Sequence, residues 1–243
     1  MKLAVQLYTL RGQVKSGQDL LNILGKVRDI GFAGVEFAGF FDLPAAAVKA
    51  RLDELGLEAA GMHLSFDELS GAKLAQSLDY AAAIGSRYIG TGGHSTRKEE
   101  DMQTILTVMG EAARQAEQRG MIAYYHNHSH EFKRDAQGIK LDRIKQVCPL
   151  ELDTYWSFFA KVDTPAYLRQ NAERIKLVHI KDGGKRFPKP KALGEGKNDL
   201  LGIIAATRDI GCEWLILEND FPKPDGLSDI TRSMAYLKKY ATE

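Results

Sequence analysis

Met121-Ile-Ala-Tyr-Tyr-His-Asn-His128, followed at once by Ser129-His130-Glu131, places three of the chain's six histidines within five residues. The segment is apolar along its body and ends in side chains that can hold a metal or a proton. The same arrangement recurs downstream: Leu150-Glu-Leu-Asp153 ends in Asp153, Ile175-Lys-Leu-Val-His179 in His179, and Trp214-Leu-Ile-Leu-Glu218 in Glu218. Strands of this kind suit a parallel barrel, whose strand bodies pack in the core while their C-terminal ends open onto the ligand-binding loops. Four tips carrying imidazole and carboxylate point to one divalent metal site.

Working outward, Met102 to Arg119 has helical spacing of apolar residues and stops at Gly120, just before the quoted strand. The pattern recurs along the chain. Helical spacing over Asp19 to Ile30 stops at Gly31, over Val48 to Leu55 at Gly56, over Leu74 to Ile84 at Gly85, and over Leu201 to Ile210 at Gly211. A strand pattern follows each within about three residues, as expected where glycine takes the left-handed backbone that closes a helix and a short loop returns to the sheet. Leu141 to Val147 and Thr164 to Ala172 supply two more helices without the glycine, and Ser228 to Tyr240 a last one. Lys2 to Tyr8 reads as the first strand, with Gln6 and Tyr8 on one face. Strands near residues 3, 35, 60, 89, 124, 151, 177 and 216, alternating with helices, predict an α/β fold: a single (β/α)8 barrel over residues 1–243. An open doubly wound sheet would show a glycine-rich loop after its first strand, and Leu7-Tyr-Thr-Leu-Arg-Gly12 is not one.

Composition narrows the function. Hydrophobic residues make up 44% and charged residues 27% of the chain, ordinary for a globular protein with a sizeable core. Thirty-three basic residues face 32 acidic ones, a net charge of +1, which argues against a nucleic-acid partner. Cys148 and Cys212 each lie in or beside an apolar segment, so buried free thiols are expected and not a disulfide framework. No run approaches the roughly 18 apolar residues that would span a bilayer. The N-terminus lacks the features of a secretion signal. The expectation is a cytoplasmic protein with a small sugar or polyol as partner, no membrane, and homo-oligomerisation left open.

On the barrel reading the active face carries Glu36, His63, His126, His128, Asp153, His179, Lys181 and Glu218. Strands five to eight, ending in His126-Asn127-His128, Asp153, His179 and Glu218, are expected to supply the metal ligands. Imidazole and carboxylate without thiolate suit Mn²⁺, Co²⁺, Zn²⁺, Ni²⁺ or Fe²⁺. The segment Asp182 to Lys197 is rich in glycine, proline and basic residues and follows the His179 strand, so it is expected to reach a substrate, with Lys185 as a contact. Gln6, Glu36, His63, His128 and Trp156 complete the candidate substrate contacts, Trp156 by stacking on a sugar ring.

Taken together, Gln6-Leu-Tyr-Thr-Leu-Arg11, Gly34-Val-Glu36, Tyr125-His-Asn-His128 with Glu131-Phe132, Leu152-Asp153, Val178-His-Ile-Lys-Asp182, Gly194-Glu-Gly196 and Leu217-Glu218 resemble the xylose isomerase-like barrel superfamily. It includes sugar isomerases and epimerases, ketose 3-epimerases, inosose dehydratase and endonuclease IV. In the epimerase branch Glu, Asp, His and Glu on strands five to eight hold the metal. The resemblance carries the last three onto Asp153, His179 and Glu218. Where the first Glu would stand, six residues after Gly120, this chain has His126. A histidine-containing strand five is more similar to the inosose dehydratase-like branch. Balanced charge sets the chain apart from the endonucleases.

The chemistry such a site implies starts from a metal that binds a carbonyl and a neighbouring hydroxyl and acidifies the adjacent C–H. A base then gives an enediolate. Reprotonation at the other carbon isomerises, reprotonation on the other face epimerises, and loss of a β-hydroxyl dehydrates. The expected activity is that of an isomerase or epimerase of a sugar or keto-sugar derivative. A keto-sugar or inosose dehydratase or hydratase is the alternative, and a polyol-binding barrel that has lost catalysis is the third possibility. Glu218 is expected to serve as ligand and base, His126 or Glu131 as the second acid or base, and Lys181 as a cation on the intermediate.

Overall fold

The computed structural model describes residues 1–241. Eight parallel strands form the barrel: β1 (Lys2–Gln6), β2 (Gly34–Phe37), β3 (Glu58–Met62), β4 (Tyr88–Thr91), β5 (Ile122–His126), β6 (Leu150–Asp153), β7 (Ile175–Ile180) and β8 (Trp214–Leu217). The sheet runs in the order β3-β2-β1-β8-β7-β6-β5-β4. The remaining seam, between β3 and β4, is joined just past the end of β3 by a parallel bridge from His63 to Gly90, with Leu64 N donating to Gly90 O at 2.7 Å. Helices α1 (Gly17–Ile30), α2 (Ala45–Leu55), α3 (Gly71–Ile84), α4 (Glu99–Gln118), α5 (Lys140–Val147), α6 (Thr154–Phe159), α7 (Thr164–Gln170), α8 (Leu200–Asp209) and α9 (Gly226–Tyr240) alternate with the strands. Among the described residues no helix is long and apolar enough to cross a membrane.

Strand alternation sorts the side chains into two cores. Leu3, Val5, Val35, Ile89, Leu152, Val178 and Leu215 face the helices and pack with Leu24, Leu52, Leu78, Ile105 and Ile203. Their neighbours along the strands, Ala4, Ala60, Tyr88, Tyr124, Leu177, Trp214 and Ile216, form a second, smaller cluster inside the barrel. Two residues further on, this inward register reaches Gln6, His126, His179 and Glu218. An apolar plug therefore fills the lower barrel, and the chain's polar groups lie above it.

Tyr124 occupies the inside of the seam. A side chain on Gly90 would collide with its ring, and a Cβ on Gly61 would lie 2.9 Å from Glu36 Oε1 and 3.0 Å from the Tyr124 hydroxyl. That space lets the Tyr124 hydroxyl cross the barrel and donate to Glu36.

All five glycines expected to end helices have positive φ, from 61° at Gly56 to 112° at Gly31. Several helices begin one to three residues earlier than their apolar spacing indicated, ahead of the first periodic apolar residue, and three of them are capped by a side chain. Ser16 accepts from Asp19 N, Asp199 from Gly202 N, and Asp225 from Ser228 N. Two local expectations are corrected. The first strand ends at Gln6, and a 3-10 turn over Leu7–Leu10 swings Tyr8 out to 44% exposure, so Gln6 and Tyr8 do not share a strand face. The chain after Asp153 forms the extra helix α6, which Asp153 itself caps.

Candidate metal centre

His126, Asp153, His179 and Glu218, from the ends of β5 to β8, place one donor atom each within 4.8 Å of all the others. His126 Nε2 lies 3.6 Å from Asp153 Oδ2, and His179 Nδ1 lies 2.9 Å from Glu218 Oε2. A tetrahedral ion with bonds of about 2.1 Å needs donors about 3.4 Å apart, within small side-chain adjustments of these positions. All four residues are buried.

The imidazoles are aimed from below by carboxylates. Glu151 Oε2 meets His126 Nδ1 at 3.1 Å, which leaves His126 Nε2 facing Asp153. Glu36 Oε2 meets His179 Nε2 at 2.6 Å, with Glu151 Oε1 3.1 Å away, which leaves His179 Nδ1 facing Glu218. A carboxylate on the far nitrogen is the usual support of a metal-binding histidine. Sequence reasoning passed over Glu151. Its signal was available: it stands two residues before Asp153 in β6 and so shares the inward face. His63, His126, Glu151 and His179 also form a four-donor group. Here Glu151 accepts from His63 Nε2 at 2.8 Å as well as from His126.

The other candidates fall in three places. Gln6 and Glu36 are fully buried on the floor, Gln6 Nε2 donating to Glu36 Oε2 at 2.7 Å. His63 and His128 stand on the walls of a cleft of about 330 Å³ above the donors, with Tyr8, His126, Glu218 and Asp220. Trp156 lines the neighbouring, larger cleft, its ring 5.6 Å from that of His128. Glu131 is buried beneath the 128–131 turn, accepting from the Tyr125 hydroxyl at 3.0 Å and His128 N at 2.9 Å, and His130 Nε2 contacts the carbonyl of His94 at 3.2 Å. Lys185 is exposed at the tip of the loop after β7, over the ring of Phe158. That loop is not structureless: Asp182–Gly183 pairs with Pro190–Lys191, and Asp182 accepts from the backbone N–H of Gly183, Gly194, Gly196 and Asn198 at 2.7 to 3.0 Å.

Lys181 is 1% exposed, and its ammonium lies 2.8 Å from Asp153 Oδ2, 2.5 Å from Glu218 Oε2 and 3.1 Å from Asp220 Oδ2. Burial disfavours its charge, but those three carboxylates prevail and hold its pKa well above the ordinary lysine value. Burial likewise opposes charge on His179, and Glu151, Glu36 and Glu218 outweigh it. Burial pushes His126 well below the usual imidazole range, so it is neutral. Against the penalty of burial, Lys181 and His179 keep Glu218 ionised, whereas burial lifts Asp153 to about 6.

Three carboxylates, Asp153, Glu218 and Asp220, thus surround Lys181, and two more, Glu36 and Glu151, lie against His63, His126 and His179. Glu151 Oε1 and Asp153 Oδ2 have no aligned hydrogen-bond donor; Lys181 approaches Asp153 Oδ2 by charge alone. Buried carboxylate in excess of cation is costly unless a further positive charge joins it. The residues present therefore fit a divalent ion held by His126, Asp153, His179 and Glu218.

Comparison with known proteins agrees with this architecture. The family described as xylose isomerase-like TIM barrel matches residues 24–240, and the chain belongs to that family. A search of curated protein sequences returns no match. A sugar phosphate isomerase/epimerase from Parabacteroides distasonis superposes with a TM-score of 0.80 at 21% identity, over 99% of this chain and 94% of that one. The probable 3-DHS dehydratase AsbF of petrobactin synthesis from Bacillus anthracis gives 0.76 at 16% identity, over 98% and 99%. The IolI protein, whose structure holds a zinc atom, gives 0.76 at 15% identity, over the full length of both chains. At such identities the likeness is one of fold.

Proposed function

We propose that this protein is an enzyme that binds one divalent metal ion and isomerises or epimerises a sugar or keto-sugar derivative through an enediolate. The observation that carries the reading is the convergence of His126, Asp153, His179 and Glu218 beneath an open cleft, each imidazole held by a carboxylate on its far side. An ion bound there supplies Lewis-acid polarisation of a substrate carbonyl. The side chains supply the rest. Glu218, ionised and on the cleft wall, removes the proton next to the carbonyl. His126, neutral, with Nδ1 held by Glu151 and Nε2 turned to the ion, serves as a ligand and transfers no proton. Lys181 stays charged among its carboxylates and stabilises the oxyanion as it develops.

Dehydration of a keto-sugar or keto-inositol is the second reading. It uses the same intermediate and is favoured by the histidine that replaces the first carboxylate of the epimerase pattern, together with the structural likeness to a dehydratase.

The test is incubation of metal-loaded protein with a panel of aldoses, ketoses and keto-inositols in D₂O, followed by NMR. Deuterium entering the carbon beside the carbonyl is expected. Appearance of an enone absorbance instead assigns the lyase. Protein that takes up no divalent metal under any loading condition overturns the proposal.

A further inference from the structure

The metal centre is acidic, but the cleft beside it is the reverse. This larger cleft, about 970 Å³, has His94, Arg97, His128, Lys133, Lys140 and Trp156 on its wall and no aspartate or glutamate. It joins the smaller cleft above the donors, since Gly92 and His128 line both. The pass between them is kept low by glycine. A Cβ at residue 92 would stand 3.1 Å from His63 Nδ1, and one at residue 93, where φ is +109°, would stand 2.9 Å from His128 Nδ1.

Some basic side chains elsewhere on the surface are matched: Arg114 pairs with Glu111 at 2.6 Å, Arg119 with Asp79 at 2.5 Å and Arg169 with Asp209 at 2.8 Å. In the cleft they are not. Arg97 and Lys133 have no side-chain hydrogen bond or ion pair among the described residues. Lys140 donates to the carbonyl of Thr96. The acids nearby are already engaged, Asp101 with the wall residues Ser95 and Arg97 themselves. Glu99 is paired with Arg143 at 2.6 Å, and Asp101 accepts from the Ser95 hydroxyl at 2.5 Å and from Arg97 N at 3.2 Å. Trp156, also in the lining, has a buried indole N–H with no acceptor. Such a wall offers positive charge and hydrogen-bond donors with no aspartate or glutamate in its lining, which is what an anion needs.

We infer that the substrate carries an anionic group, a phosphate or a carboxylate, which extends from the metal centre across Gly92 and Gly93 and is held in this cleft by Arg97, Lys133 and Lys140. The inference rests on the proposed metal-centred reaction and names its substrate class. The carboxylates around Lys181 repel such a group, so the same charges that hold the reacting end at the metal direct the other end outward.

The test titrates chelator-treated protein at low ionic strength with inorganic phosphate and, separately, with malonate, by calorimetry. Saturable binding of one anion is expected, weakened at least about tenfold in Arg97→Ala/Lys133→Ala and unchanged in Glu218→Gln. Tighter phosphate binding assigns a phosphorylated substrate, and tighter malonate binding a sugar acid. No binding of either anion, binding indifferent to the double substitution, or binding lost in Glu218→Gln overturns the inference. Anion binding by a chain that never takes up metal would refute the proposed reaction and leave this site standing.

Discussion

Glu151 Oε2 lies between two imidazoles, 3.1 Å from His126 Nδ1 and 2.8 Å from His63 Nε2. One carboxylate in β6 therefore fixes the orientation of a ring in β5 and another just past β3. Glu151→Gln keeps the volume but loses the charge and an acceptor. Metal affinity is expected to fall by about tenfold or more, the range seen when such a support is removed. Competition with a chromogenic chelator measures it, and an unchanged affinity would show that the rings are held by packing alone.

His126 contributes the one neutral donor that departs from the epimerase pattern. His126→Ala is expected to lower metal affinity by at least about tenfold, whereas His126→Glu keeps the metal and moves the site towards the epimerase ligand set. Equal affinity of wild type and His126→Ala would transfer the fourth position to another ligand.

Asp182 gathers four backbone N–H groups and is 2% exposed. Asp182→Ala strands those donors, and a loss of about 2–4 kcal/mol in unfolding free energy is expected, with the metal affinity of the folded protein largely kept. Urea unfolding followed by circular dichroism decides the first point. A change below about 0.5 kcal/mol would mean the loop is held by its other contacts.

Burial raises the thiols of Cys148 and Cys212 to about 12. At pH 8 roughly one molecule in ten thousand is a thiolate at each position, a fraction that climbs tenfold per pH unit. Folded protein should therefore give no rapid reaction with Ellman's reagent at pH 8 and two equivalents in urea. Prompt labelling without denaturant would contradict the burial.

Much of this was legible because parallel strands write their function at one end. The glycines after α1 to α4 and α8 marked the loops back to the sheet, and the strand-tip residues of β5 to β8 marked the donors. What escaped notice had physical causes. Helix starts were hidden because they lie ahead of the first periodic apolar residue, as after Ser16 and Asp225. Helix α6 was too short to show a period, and its cap, Asp153, looked only like a ligand. Glu151 was lost inside a run that reads as apolar, although alternation places it beside Asp153. The pairing state of Arg97 and Lys133 depends on residues far apart in the chain, and no local pattern announces it.

Gly61 and Gly90 flank the loosely joined seam of the barrel and leave room for Tyr124 to reach Glu36, which in turn holds His179. A methyl group at either glycine would push on the tyrosine, and the disturbance would arrive at His179 without any donor having been altered. Affinity for the ion is thus hostage to two positions that offer it nothing. A survey of variants scored only at the coordinating residues would pass over the sites with the least freedom to change.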